Sequence, residues 1–395
     1  MKHIHPFPAR MAPDIALSKI ADLSKGHIVL DPMSGSGMVL SQAARSGLKS
    51  IGYDLDPLAR MISRVGATSI DEDKAKKALS DLIETCSCLY EKHEKFQLKW
   101  IDDDRETSDF IDFWFDKKQS QQLNLLSYFL FVKPIIRDKK IIDILKIALS
   151  RLIITKEPKA SLARDTAHSR PHKTIFRNDF DIFSELPSSL NHVLKALDTA
   201  TIKVDTETYL GDARKMTRIS NESIDAIITS PPYLNAIDYI RGHRLSLVWF
   251  GYNLSKLRSI RRKTIGTERL FSKTINTGFV KILKELELEN LDDRNLKMLY
   301  RYYYDLTLQL NESYRVLKRG ASATYVIGNS TIRGNYIRNN ELLKRVAISS
   351  GFDVKNESMR KIPNNRRYMP LDDKSGSALA FRMREEHIIE LLKLS

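Results

Sequence analysis

Between residues 28 and 53 the chain carries a pattern that few folds accommodate. A short apolar run, Ile28-Val29-Leu30, leads into Asp31-Pro32-Met33-Ser34-Gly35-Ser36-Gly37, then a helical pattern from Met38 to Ser46, then a second apolar run from Leu48 to Tyr53. Strand, turn, helix and strand in that order make a βαβ unit, whose strands run parallel and whose crossover covers one face of a sheet. The nearly continuous apolar stretch Ile224 to Ile228 reads as a strand buried on both faces, the kind found inside parallel sheets. Further strands are expected at Thr206 to Leu210 and Ala323 to Ile327, with Phe352 to Ser358 and His387 to Leu392 pairing as the last two. A helix from Asn295 to Leu317 is expected to stop at Gly320. The fold class is therefore α/β, a Rossmann-like sheet that is mostly parallel and closes on an antiparallel last strand.

From about Asp71 to Leu197 the texture changes. Phe110, Phe113 and Trp114, then Leu123, Leu125, Leu126 and Phe129, fall at helical spacing, so a mainly helical insertion is expected. The apolar stretch Ile141 to Ile154 is broken by Lys146 and Arg151 and is far short of a membrane span. The N-terminus lacks the apolar core of a signal peptide, which points to a cytoplasmic protein with no membrane partner. Cys86 and Cys88, the two cysteines, lie two apart in a helical segment without a second pair, so they read as ordinary thiols. With 64 Lys and Arg against 49 Asp and Glu, the formal net charge is +15, which favours a polyanionic partner, nucleic acid first.

The Gly-rich turn lies between a strand and a helix, where backbone N–H groups and a helix N-terminus approach a ligand closely. Asp54, at the end of the following strand, is close to the spacing at which such folds bind ribose hydroxyls. Its neighbour Asp56 is suited to capping the helix that starts near Pro57. Only two closely spaced glycines are present, so the turn departs from the dinucleotide fingerprint. After the buried strand comes Thr229-Ser230-Pro231-Pro232-Tyr233. Consecutive prolines fix the backbone and remove two donors, leaving carbonyl oxygens to accept.

Taken together, Asp31 to Gly37, Gly52 to Pro57 and Ser230 to Tyr233 resemble the motifs of the S-adenosylmethionine-dependent, amino-methylating DNA methyltransferases. The Ser-first tetrapeptide is the form usual for cytosine-N4 enzymes, whereas adenine-N6 enzymes commonly carry Asp. The resemblance implies a Rossmann-like methyltransferase sheet, S-adenosylmethionine as cofactor, and methyl transfer to N4 of cytosine in duplex DNA, with adenine-N6 methylation as the alternative. RNA methylation and a catalytically silent DNA-binding subunit are lesser rivals. It also implies restriction-modification, with a cognate restriction endonuclease as partner.

By the same resemblance Ser230, Pro231, Pro232 and Tyr233 are the catalytic residues. Cofactor-binding residues are Phe7, Pro8 and Ala9 over the methionine end; Asp31, Met33, Ser34, Gly35, Ser36 and Gly37 in the turn; Asp54 and Leu55 at the ribose; and Asp212 and Ala213 at the adenine. Asp212 is equally suited to a plain turn or helix cap. An exocyclic amine is a poor nucleophile, and acceptors for both its hydrogens favour a pyramidal nitrogen with an available lone pair. Tyr233 would stack on a base flipped out of the duplex.

Tyr239, Arg241, His243 and Arg244 follow the tetrapeptide, and Arg258, Arg261 and Arg262 form a basic cluster. With Arg366 and Arg367 these are the candidate DNA contacts, although a charge run is as readily a solvated face. The segment Arg164 to Lys173 holds two histidines and three cations, reading as a loop that contacts DNA or packs against the sheet; no metal is expected there. The organisation is thus residues 1–70 and 201–250 as cofactor and catalytic halves, 71–200 as helical insertion, 251–300 as a basic insertion suited to DNA recognition, and 301–395 as the rest of the sheet.

Overall fold

A computed structural model describes residues 3–8, 10–197, 202–204, 206–234, 237–266, 274–332, 335–362 and 385–394. After helix α1 (Pro13–Ala21), β1 (Ile28–Asp31), α2 (Met38–Ser46) and β2 (Lys49–Asp54) form the expected βαβ unit, with β1 and β2 parallel and Asp31 opposite Gly52. Helices α3 (Pro57–Gly66), α4 (Glu72–Glu91), α5 (Lys99–Asp102), α6 (Arg105–Trp114), α7 (Lys117–Ser127) and α8 (Lys139–Ile153) follow. A small hairpin of β3 (Ala163–Arg164) and β4 (His172–Lys173) then leads to α9 (Ile182–Leu197). The sequence punctuates these helices clearly. Asp56, Asp71, Asp104, Asp116 and Asp138 each cap a helix by accepting from a backbone N–H of its first turn.

The chain returns to the sheet with β5 (Glu207–Leu210) and β6 (Ile224–Thr229), then forms α10 (Tyr239–Leu247), α11 (Leu254–Lys263), α12 (Thr277–Glu285) and α13 (Asp293–Val316). The last elements are β7 (Leu317–Ile327), a hairpin of β8 (Ser330–Ile332) and β9 (Asn335–Ile337), α14 (Asn339–Ser349), β10 (Phe352–Lys361) and β11 (Glu385–Lys393). The seven-stranded sheet has the order β10-β11-β7-β6-β1-β2-β5. Only the last strand runs against the rest: β11 is antiparallel to both β7 and β10, while the other pairings are parallel.

One detail differs from expectation. Gly320 does not stop a helix: α13 ends at Val316, and the chain passes directly into β7. Gly320 lies within β7 at φ +73°, where the register against β6 slips between Leu317 and Ser322. A left-handed residue in a bulged strand suits glycine as well as a helix end does.

The interior holds two large hydrophobic clusters. Residues of α4 to α9 pack with α3, α10 and α11 in one cluster that includes Leu82, Leu145, Leu190, Leu245 and Trp249. The other joins β6, β7 and β11 to α12, α13 and α14. Residues 240–257 therefore pack on the helical region even though they follow the β6 turn in sequence. Among the described residues no helix is long and apolar enough to cross a membrane.

The strand order places a switch point between β1 and β6. From β1 the chain winds outward through β2 to β5, then restarts on the other side with β6 and β7. In open α/β sheets ligands bind beyond the carboxyl ends of the strands at such a point, because the two flanking loops diverge to opposite faces and leave a crevice.

Candidate active site

The turn after β1 is built by acids and backbone amides. Asp31 is 3% exposed, and its Oδ1 accepts from the Met33 amide at 3.2 Å and the Thr229 hydroxyl at 2.8 Å. Asp54, at the end of β2, reaches across the turn: Oδ2 accepts from the Gly35 amide at 2.8 Å and Oδ1 from the Asp56 amide at 2.9 Å. The Ser34 amide donates to the Tyr53 carbonyl at 2.9 Å. Gly37 opens α2 at φ +74°, and a Cβ there would stand 2.5 Å from Ser63 Cα on α3. That close approach fixes the turn against α3 and admits only glycine.

Burial pushes the Asp31 carboxyl up to about 7, against the pull of the Thr229 and Met33 bonds. Asp54 is also pushed up to about 7, by burial first and then by the negative charge of Asp56. Carboxyls held near neutrality are poised to ionise against an incoming cation. A ligand bringing a cationic amine and ribose hydroxyls fits this donor set, because Asp31 takes both of its bonds through Oδ1 and keeps Oδ2 to offer, while each Asp54 oxygen accepts one bond and retains a second lone pair. A cavity of about 50 Å³ adjoins the turn, bounded by Ile4, His5, Ser36, Gly37, Met38 and Ile62. Another, of about 240 Å³, lies at the far end of the strands among Lys19, Asp225, Gly320 and Glu390, away from these groups.

The N-terminal segment lies over the turn. Phe7 Cε1 is 3.4 Å from where a Gly35 Cβ would be, and the Phe7 ring stacks on Tyr239 with centroids 4.9 Å apart. Arg10 holds the segment's bend by donating to the carbonyls of Phe7 at 2.9 Å and His5 at 2.8 Å. Pro8 is buried beside Phe7, and Ala9 lies outside the described residues. Beneath this cover His5 bonds Ser150 at 2.9 Å, and His243 bonds Asp56 Oδ2 at 2.6 Å. His243 was expected at the DNA. It is 1% exposed, and its partner Asp56 caps α3 with the other oxygen, so its side chain holds α10 to α3 instead.

The turn after β6 is built by hydroxyls and carbonyls. Ser230 Oγ donates to the Val326 carbonyl of β7 at 2.9 Å, which commits its proton and leaves its lone pairs as acceptors. The Tyr302 hydroxyl, from the fully buried face of α13, donates to the Pro232 carbonyl at 3.1 Å. Gly266 packs against the same turn at φ +78°, and a Cβ there would fall 2.7 Å from the Tyr233 carbonyl oxygen. Tyr233 is half-buried, with burial raising its phenol pKa and its hydroxyl near Ser230 and the Gly328 amide. Pro231 is buried. Thr229 enters the sequence reading only as the residue before the tetrapeptide, with no partner foreseen, and Tyr302 not at all, because a tyrosine in the aromatic run of α13 reads as core.

Asp212 and Ala213 follow β5 at the same edge of the sheet, with Ala213 buried. Asp212 receives Arg214 twice, at 2.9 Å and 2.7 Å, together with the Arg214 amide at 3.0 Å. Burial alone would raise its pKa, but these bonds outweigh it and hold the carboxylate below its usual range. Arg214 continues to Asp305 on α13, which also pairs with Arg301. The turn role considered for Asp212 is thus realised in its geometry. Leu55 is half-buried between the two acids, and Met33 packs toward the β6 and β7 core.

The candidate DNA contacts separate into groups. Arg241 is exposed on α10, and the half-buried Arg244 guanidinium lies 5.0 Å over the Phe110 ring. Arg258 is tied to Glu106 and Arg261 to Asp238, the latter at 2.6 Å. Arg262 is exposed, and its carbonyl accepts from Arg301 at 2.7 Å. Arg366 and Arg367 lie outside the described residues. Among the described residues no group of His, Cys, Asp or Glu is placed to hold a metal.

No family model matches the chain. Curated relatives do. The type II methyltransferase M.MvaI of Kocuria varians is 24% identical over 92% of this chain and 84% of its own length. M.BsoBI of Geobacillus stearothermophilus is 25% identical over 84% of this chain and 74% of its own length. M.MjaII of Methanocaldococcus jannaschii is 24% identical over 61% of this chain and 60% of its own. The chain is thus related over nearly its whole length to type II methyltransferases, in keeping with the amino-methylating DNA methyltransferases that its two turns resemble.

Proposed function

We propose that the chain is a DNA methyltransferase that transfers a methyl group from S-adenosylmethionine to N4 of cytosine in duplex DNA, as the modification enzyme of a restriction system. The observation that carries this reading is the adjacency of the two turns. β1 and β6 are neighbours at the switch point, and Thr229 of one turn is hydrogen-bonded to Asp31 of the other at 2.8 Å. A cofactor held on the first turn therefore faces a substrate group held on the second. The naming of the relatives as type II methyltransferases supports the substrate class, and the Ser-first tetrapeptide favours cytosine.

S-adenosylmethionine, when bound, supplies an electrophilic methyl group on a sulfonium. Asp31 would hold the ammonium of its methionine end, Gly35, Ser36 and Gly37 would leave room along the backbone, and Phe7 and Pro8 would cover it. Asp54 would accept from the ribose hydroxyls beside Leu55, and Asp212 and Ala213 would flank the adenine. Ser230 Oγ, its proton engaged by Val326, and the Pro231 carbonyl would accept from the two amino hydrogens of the target, which directs the nitrogen lone pair toward the methyl group. Tyr233 would stack on the flipped base. No covalent bond to the protein is needed. C5 methylation would need a cysteine nucleophile at the substrate turn, whereas Cys86 and Cys88 both lie in α4, the first buried with its thiol pushed up to about 12.

The test is mass spectrometry of nucleosides from plasmid DNA incubated with the protein and S-adenosylmethionine. N4-methylcytosine is expected. N6-methyladenine would overturn the base assignment while keeping the class of reaction; cofactor binding with no modified deoxynucleoside would overturn the DNA reading.

A further inference from the structure

The segment from Arg164 to Lys173 has no part in the two turns, yet the structure fixes it against α10, which follows the second of them. Its β3–β4 hairpin pairs Arg164 with His172, and two non-glycine residues in its tip, Asp165 and Ser169, take left-handed backbone at φ +55° and +52°. Such conformations persist only where the surroundings impose them. Here Thr166 is 1% exposed and its hydroxyl is held by the Ile153 and Thr155 carbonyls, while the Leu162 amide donates to the Trp114 carbonyl at 2.8 Å. The tip rests directly on α10: a Cβ on Gly242 would fall 2.6 Å from the Thr166 carbonyl oxygen. The hairpin is thus an anchored platform whose contact at Gly242 lies one helical turn from Tyr239, the residue that stacks on Phe7.

From α10 outward the platform carries a continuous line of cations and rings. Arg244 lies 5.0 Å over Phe110, Phe110 is 6.1 Å from Trp114, and Trp114 is 4.9 Å from Phe113. Lys173 Nζ then stands between two rings, 4.9 Å from the centroid of Phe113 and 5.3 Å from that of Phe176. Phe113 is 52% exposed and Phe176 84% exposed, the latter almost wholly in water. Residues 163–177 carry four Lys and Arg against one Asp; Arg164 is paired with Glu157 at 3.0 Å, whereas Arg177, like Arg241 on α10, stands exposed. Aromatic rings open to solvent and interleaved with cations match nucleic acid, whose phosphates take the cations while bases or sugars take the rings. The basic cluster of α11 offers less, because Arg258 and Arg261 are already ion-paired within the protein.

We propose that the strip from Arg244 through Phe113 and Lys173 to Phe176 docks the duplex on the flank of the target site, with Lys173, Arg177 and Arg241 on phosphates and Phe113 and Phe176 against sugars or bases. This rests on the reading of the chain as a DNA methyltransferase and assigns the hairpin as its recognition platform.

The experiment compares the full chain with Lys173→Ala/Phe176→Ala and with Arg177→Ala, using Lys77→Ala on the exposed face of α4 as control. Affinity is read by anisotropy of a fluorescein-labelled pool of random-sequence duplexes across a salt series. Cofactor affinity is read by calorimetry, and methyl transfer by labelling of plasmid DNA. The double variant is expected to bind duplex about tenfold more weakly, the size of one lost stacking contact with a lost phosphate contact. Each lost cation should lower the slope of log affinity against log salt by about one. Cofactor affinity should be unchanged, and Lys77→Ala should match the parent. Duplex affinity and salt slope equal to the parent's, in a parent that methylates DNA, would remove the strip from DNA binding and leave the methyltransferase reading standing. A parent that takes up cofactor but neither binds nor methylates DNA would overturn both. Transfer lost at unchanged duplex affinity would overturn the docking role and turn attention to a protein partner on the same face.

Discussion

The turn after β1 closes through carboxyls and amides, and the turn after β6 closes through hydroxyls and carbonyls. They are neighbours, joined by the Thr229–Asp31 bond, yet one is electrostatically soft and the other is not. Asp31 and Asp54 are both pushed up to about 7, so the first turn changes charge in the physiological range. The second turn offers Ser230, Tyr233 and Tyr302, with burial raising the two phenols further from neutrality. Under the proposed function the sensitivity to pH belongs to cofactor capture, and the transfer step itself is carried by neutral hydrogen-bonding groups. Mutation and pH should therefore separate the two turns cleanly.

The largest expected effect falls on the second turn. Ser230→Ala removes the acceptor whose proton is already committed to Val326, and turnover should drop by about a hundred- to a thousandfold, the size seen when one preorganised transition-state contact is lost. Cofactor affinity should stay within about twofold. Equal losses in both would mean that the two turns are not separable and that Ser230 supports the cofactor site as well.

Next comes pH. Asp31 has a pKa raised in the folded chain, so its neutral form dominates below about 7, whereas a bound ammonium favours its charged form. Cofactor affinity should accordingly weaken as pH falls below about 7, approaching tenfold per unit, with proton release detectable by calorimetry in buffers of different ionisation enthalpy. Asp31→Asn keeps an oxygen for Thr229 and Met33 but cannot ionise. It should weaken cofactor binding at pH 8 and make the profile shallower, leaving only the part that belongs to Asp54. The same raised pKa costs the free protein stability as pH climbs from 3.8 to about 7, because the unfolded carboxyl ionises first. Asp31→Asn should therefore melt higher than the parent at pH 8. A parent profile that is flat from pH 6 to 8 would place the titrating group elsewhere.

What sequence could and could not reveal follows the same division between local and distant contacts. The β1 turn and the Asp56 cap were legible because strand, glycines, acid and helix start lie within a few residues of each other. The Thr229–Asp31 bond spans 198 positions, Asp56–His243 spans 187 and Tyr302–Pro232 spans 70; no spacing rule announces them. His243 illustrates the error this invites. In a polar stretch after the tetrapeptide it looks solvent-facing, yet at helical spacing it turns inward and meets Asp56. Gly320 shows the converse, a residue whose backbone conformation was foreseeable and whose element was not. The Arg164 to Lys173 segment remained open between packing and DNA because its cations are visible in sequence whereas its buried anchors at Ile153, Thr155 and Gly242 are not.

A smaller effect is expected at Tyr302→Phe. Its hydroxyl donates to the Pro232 carbonyl in a part-buried bond, and losing such a bond costs about 1 kcal/mol. Part of that cost should appear as looser positioning of Ser230 and Tyr233, lowering kcat about fivefold with cofactor affinity and its pH dependence unchanged. An effect on melting temperature alone would make Tyr302 a packing residue.

The smallest expected effect tests the bond between the turns. Thr229→Val conserves shape and removes the hydroxyl that donates to Asp31, at a typical net cost of about 1 kcal/mol. That bond favours the charged form of Asp31 and so lowers its pKa against the larger effect of burial. Without it the carboxyl should titrate at higher pH. The midpoint of the cofactor-affinity profile should then move upward, while turnover at saturating cofactor and high pH stays near the parent's. A midpoint that does not move would mean that Thr229 leaves the charge on Asp31 untouched. A fall in turnover at unchanged midpoint would mean that Thr229 serves the Ser230 turn, making the two turns one mechanical unit.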